Sequence, residues 1–229
     1  MSITGVRPSH LVLILAALSL GLAADMHTGF AGQAAISAAV WALLLYLLAH
    51  FEREDWRALL ACLVIATVGE IGASLVWGLY TYRLGNIPPF VPPGHVLMLL
   101  LGLTIAERLP SVAADAILAA AAAYALAAAA LGFDTFALPL CLALAVVSLG
   151  MPGHRRLYAS TFVAALALEL YGTWLGNWTW AREVPLVGLT TTNPPAVAGA
   201  FYAVLDALVA VTALLFARRF GLRPAQQRA

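Results

Sequence analysis

The chain has 229 residues, 63% of them hydrophobic and 10% charged, with a formal net charge of +1 and a mean hydropathy of +0.92. A soluble domain of this length could not bury so much apolar surface and would carry more than twice the charge, so the class is an all-α, polytopic helical membrane protein. Nucleic acid is excluded as a partner because no basic patch or arm lies outside the short loops, and a retinal-type Schiff base is excluded because the chain has no lysine.

Apolar runs between polar breaks predict eight spans, near 10–25, 33–50, 58–80, 91–107, 112–132, 135–151, 158–179 and 196–217. The first, HLVLILAALSLGLAAD, has Arg7 before it and small residues after it, the pattern of a signal peptide. The internal repeat described below requires it to stay as a helix. Span three carries Cys62 and Glu70, and is followed by GLYTYRLGNIPPFVPPGH at 78–95. Span six carries Cys141. Both cysteines sit in apolar runs without metal-ligand spacing and read as small buried hydrophobes. Span seven carries Glu169 and runs into GNWTWAREVPLVGLTTTNPP at 176–195, and span eight carries Asp206.

Arginine placement tests the span order. Arg7, Arg53, Arg57, Arg108, Arg155, Arg156, Arg218, Arg219, Arg223 and Arg228 fall on one side, and only Arg83 and Arg182 on the other. By the positive-inside rule both termini are cytoplasmic, and the expected location is the bacterial plasma (inner) membrane, crossed several times. The two proline-rich strings then both lie on the outer face, or dip into the membrane there.

Those strings match. Gly78-Leu79-Tyr80-Thr81-Tyr82 parallels Gly176-Asn177-Trp178-Thr179-Trp180, and in each an arginine, a proline and a double proline follow (Arg83, Pro88, Pro92-Pro93; Arg182, Pro185, Pro194-Pro195). Upstream of each is a mid-span glutamate. Spans three and four therefore correspond to seven and eight, which predicts two parallel four-helix repeats in a single integral membrane domain spanning 1–229. Repeat one covers about 8–108, repeat two about 110–219, and a short cytoplasmic tail 220–229. The alternative is that aromatic, proline-rich span ends are common and two happen to look alike.

Glu70 and Glu169 sit about twelve residues into their spans, near the bilayer middle at helical rise, and Asp206 lies at similar depth. A carboxylate facing lipid there costs on the order of 3 kcal/mol, so all three turn inward. In a dry slot the charged form is disfavoured, and a glutamate kept protonated can act as an acid. The structural alternative is a protonated carboxyl serving as inter-helix glue. The aromatics Trp77, Tyr80, Tyr82, Trp174, Trp178 and Trp180, with Asn177 among them, crowd the same ends. An interfacial belt accounts for some of them. The spacing of two at 80/82 and 178/180 instead puts both rings on one face of an extended segment, where they would line a cavity for an apolar ligand or a developing cation. His95, in Pro-Pro-Gly-His, is either a helix-start polar residue or part of that wall. No metal, nucleotide or nucleophile motif is present, so no metal and no cofactor are expected.

A mid-span glutamate, then Gly-x-Tyr-x-Tyr, then prolines leading into another span resembles the membrane carotenoid-biosynthesis family that includes bisanhydrobacterioruberin hydratase and the carotenoid 1'-hydratases. The second half adds Trp178-Thr179-Trp180, Val184-Pro185 and Asn193 to the likeness, which covers about 66–105 and 165–205. Where that family has Gly-Val-Pro after the first aromatic pair, this chain has Asn86-Ile87-Pro88, and its Asn-Phe reads Asn193-Pro194 here. The resemblance implies hydration of an isolated alkene in a lipid-soluble small molecule: an acid in an apolar slot, aromatic faces for a tertiary carbocation, and a second carboxylate to orient water. Without water the same equipment would cyclise a terpenoid. Glu70 or Glu169 would be the donor and the other its counterpart, with substrate entering from the membrane lipid. Two other classes stay open. In a small proton- or cation-coupled transporter, Glu70, Glu169 and Asp206 would bind the ion and the proline loops would gate the outer side. In a non-catalytic membrane subunit the aromatic loops would dock a partner. No arginine lies mid-span to pair with the acids, which favours acid chemistry over a pump. The sequence carries no signal of oligomeric state.

Overall fold

A computed structural model describes residues 6–219; the expected tail at 220–229 lies outside the described residues. The described residues form eight α-helices: α1 Pro8–Met26, α2 Phe30–His50, α3 Arg53–Glu70, α4 Val91–Arg108, α5 Ser111–Ala130, α6 Ala137–Gly150, α7 Arg155–Leu175 and α8 Gly199–Arg219. Two three-residue strands, β1 Tyr80–Tyr82 and β2 Trp178–Trp180, are the exceptions to the all-helical class. Among the described residues, five helical segments are long and apolar enough to cross a membrane: α1, α2, Asp55–Trp77, α5 and Gly199–Phe216 of α8. A sixth is the bent pair of α6 and Pro152–Leu175, which turns through 107° at its break. The protein is membrane-embedded on that composition.

Each α-helix falls on one of the eight apolar runs, but the two glutamate-bearing runs end earlier than apolarity alone suggests. The run expected at 58–80 is α-helical only to Glu70 and then continues as a π-helix, Ile71–Trp77. The run expected at 158–179 stops at Leu175. Gly78 (φ 75°) and Gly176 (φ 87°) end them in the left-handed conformation that glycine adopts without penalty, and each turns the chain directly into a strand.

Four helices make a ring in which α3 packs on α4, α4 on α7, α7 on α8 and α8 back on α3. α4 is enclosed most fully, with α1 and α2 on its outer side, so Val96, Leu97, Leu99 and Leu100 are all buried and the helix is apolar on every side from Val96 to Leu103. α1 also reaches α7. On the other flank α5 packs on α6 and α7, and α6 on α8. The strands cap one end of the ring. They pair antiparallel with Tyr80 opposite Trp180, Thr81 opposite Thr179 and Tyr82 opposite Trp178, each with its aromatics buried and its threonine exposed.

Candidate functional site

Glu70 closes α3 and Glu169 lies in α7; both are 7% exposed. Period-two geometry turns both rings of each strand the same way, down onto these carboxyls. The Tyr80 and Tyr82 hydroxyls donate to Glu70 Oε2 at 2.9 and 2.7 Å. The Trp178 and Trp180 indole N–H groups donate to Glu169 Oε2 at 2.7 and 2.9 Å. The register is the one a twofold axis through the Thr81–Thr179 pair requires, since exchanging Tyr80 with Trp178 and Tyr82 with Trp180 maps the ladder onto itself.

Ten residues separate Glu70 from Tyr80, and nine separate Glu169 from Trp178. The additional residue in the first half falls where the chain is π-helical, and the wider turn absorbs it, so both glycine-ended helices still deliver their strands in register. Gly172 makes room in the second half. A Cβ there would fall inside the Trp178 ring, so only glycine lets that indole lie against α7 and reach Glu169.

Two cavities meet at the carboxyls. One, of about 650 Å³, lies among α1, α2, α4 and α7 and is lined by Leu18, Leu22, Val40 and Met98. The other, of about 730 Å³, lies between α3 and α8 and is lined by Ile65, Ala66, Phe201 and Leu208. Glu70, Tyr80, His95, Glu169 and Tyr202 belong to both. Apart from these few polar groups the walls are apolar. Gly69 and Leu208, which line the α3–α8 cavity, are also exposed on the outside of their helices.

His95 faces Glu70, its Nε2 3.4 Å from Oε1. Its Nδ1 is 3.0 Å from the Val91 carbonyl, which can only accept, so Nδ1 carries the hydrogen. The ring stacks on Tyr202 with centroids 5.1 Å apart and planes 13° from parallel.

The remaining expected residues lie elsewhere. Trp77 donates its indole N–H to the Pro185 carbonyl at 2.8 Å and clamps the two loops together. Asn193 Oδ1 accepts from the Trp180 backbone N–H at 3.0 Å and fixes that strand from behind. Asn177 donates to the Leu22 carbonyl and to Asp25 Oδ2 at 3.1 and 3.0 Å. None of the three lines either cavity. Trp174 is 78% exposed and stacks on Tyr171. Five residues beyond Glu169 on a 3.6-residue helix, it points well away from the carboxyl, so it belongs to the helix surface and not to the ligand wall. Asp206, on α8, is buried but lines neither cavity.

Sequence reasoning missed Tyr202, whose only trace is helical position: it is the fourth residue of α8, as His95 is the fifth of α4. It also missed Asp25, 1% exposed at the end of α1, which accepts from Gln33 at 3.0 Å and from Asn177, and lies 3.7 Å from Arg83. Arg83 donates in addition to the Asp25 and Thr28 carbonyls, and Asn86 donates to Gln33 at 2.8 Å. A lone aspartate closing an apolar run opposite the sole arginine of the first proline string was the available signal. Among the described residues no three His, Cys, Asp or Glu side chains gather as metal ligands would.

No protein-family model, curated protein or solved structure matches this chain.

Proposed function

We propose that the protein is an integral-membrane enzyme that protonates a carbon–carbon double bond of a lipid-soluble isoprenoid or carotenoid and completes a hydration or a cyclisation. The observation that carries this reading is that two buried carboxyls, each held by two aromatic donors, stand in the wall shared by two apolar cavities. Protonating an isolated alkene needs a carboxylic acid shielded from water. The cation that follows needs ring faces rather than a nucleophilic side chain, and Tyr80, Trp180 and Tyr202 supply them. The exposure of Gly69 and Leu208, which line the α3–α8 cavity, on the outside of their helices suits entry of a substrate dissolved in the bilayer.

The architecture that goes with this reading is eight spans in two parallel four-helix repeats, with the strands at the outer face and both termini cytoplasmic. In its support, α3–α4 packing is echoed by α7–α8, α4–α7 by α8–α3, and α2–α4 by α6–α8. A transporter gated at the proline loops fits less well, because that end is tied shut. Besides the strand ladder, the Arg83 N–H donates to the Asn177 carbonyl and the Ala181 N–H to the Leu79 carbonyl, both at 2.9 Å, and Trp77 holds Pro185.

The test is product analysis in a bacterial host that accumulates acyclic carotenoids. A product heavier by one water identifies a hydratase, and an isomer of unchanged mass identifies a cyclase. Unaltered pigments in the presence of folded, membrane-inserted protein would overturn the reading in favour of the transporter.

A further inference from the structure

We propose that the two glutamates have opposite roles: Glu169 gives the proton to the double bond, and Glu70 with His95 receives the proton released when the cation is quenched. This assignment rests on the acid chemistry proposed above and answers which carboxyl starts it.

The partners differ in a way that decides direction. Glu169 Oε2 is held by two indole N–H groups, which donate and cannot accept. That oxygen is therefore the acceptor of the carboxyl group, and a proton on Glu169 must ride on Oε1. Among the described residues Oε1 takes no hydrogen bond, and Glu169 lines both cavities, so the acidic hydrogen has no destination except the ligand space. Glu70 is placed differently. Its Oε2 is held by hydroxyls, which both donate and accept, and its Oε1 faces His95 Nε2. Because His95 Nδ1–H is committed to the Val91 carbonyl, Nε2 of the neutral ring presents a lone pair toward Glu70. A proton arriving at Glu70 can rest on the carboxyl or pass to the imidazole, and Tyr202 stacked on that ring holds it in place.

The steps balance. The Glu169 O–H bond breaks and a C–H bond forms on the substrate, leaving a carboxylate and a carbocation. In hydration, water oxygen bonds to the cation and its proton goes to Glu70 or His95. In cyclisation, the ring forms and the proton leaving the adjacent carbon goes to the same pair. One proton then returns from the pair to Glu169 Oε1, and none is consumed overall.

The experiment uses purified full-length protein in liposomes containing lycopene, transferred to D2O, with two readouts: product formed and deuterium in the recovered substrate. With Glu70→Gln, product should fall at least about a hundredfold while deuterium still enters the substrate, because Glu169 can protonate the alkene and take a hydrogen back. With Glu169→Gln both signals should vanish. His95→Gln should lower product and leave exchange intact. The milder pair Tyr82→Phe and Trp178→Phe keeps a ring at each site: the first should affect product only, and the second should slow exchange as well. The opposite pattern, exchange lost in Glu70→Gln and kept in Glu169→Gln, would overturn the assignment while leaving the acid chemistry standing. Wild-type protein with neither product nor exchange would overturn both.

Discussion

The Glu70 and Glu169 halves use one plan with different materials. In each, a helix ends at a left-handed glycine, a three-residue strand follows, and two alternate aromatics donate to one oxygen of a buried carboxyl. The first half uses tyrosines, a π-helix and a histidine; the second uses tryptophans, an unbroken α-helix and a glycine cut to the size of an indole. Two similar helix–glycine–strand segments thus hold two buried carboxyls with unlike donors around them. Donor-only partners leave a proton on one fixed oxygen, whereas amphoteric partners let it move.

The sharpest way to break the comparison is to shorten each helix by one residue. Deleting Val76, which is 78% exposed within the π-helix, should convert that segment to α-helix and still give a folded protein, because the excess residue is the one being removed. Deleting Leu170, 53% exposed on α7, has no wide turn to draw on and should rotate Trp178 and Trp180 away from Glu169. Size-exclusion behaviour in detergent should separate the two, and equal tolerance would refute the role given to the π-helix. A smaller effect is expected from Gly172→Val. Its side chain meets the Trp178 ring, and overpacking of this kind costs about 1–3 kcal/mol. The thermal midpoint should drop, whereas Gly72→Val, at a glycine with open space around its Cβ position, should move it less. The smallest effect sharpens the comparison by subtraction: Trp174→Leu, on the exposed surface of α7, should change stability by no more than about 0.5 kcal/mol and leave product formation intact.

Much of this is readable from the chain. The period-two aromatics announce extended segments because alternation by two has no helical meaning, and they form a pair of strands with rings on one side. The paired glutamates can be found because an acid in an apolar run must turn inward. The π-helix leaves only a one-residue mismatch between two otherwise matching strings, which reads equally as a loop insertion until the backbone is seen. Trp174, like Trp77, Asn177, Asn193 and Asp206, lies off the ligand wall, in its case because nearness to Glu169 in sequence is not nearness in space once helical periodicity turns the ring aside. Asp25 and Tyr202 have no local signature. Their importance comes from what α1 and α8 bring opposite them, and that is fixed only when the ring closes.

The strand pair has a consequence for how the protein is made. Tyr80 and Trp180 face each other across a hundred positions of chain, so β1 emerges from the ribosome long before its partner exists. Until then the backbone groups of β1 that face β2 have no partner strand. Closing such a distant contact is slow compared with forming helices. The two halves synthesised as separate polypeptides should find each other through this ladder, and restoration of function by co-expression would time the event.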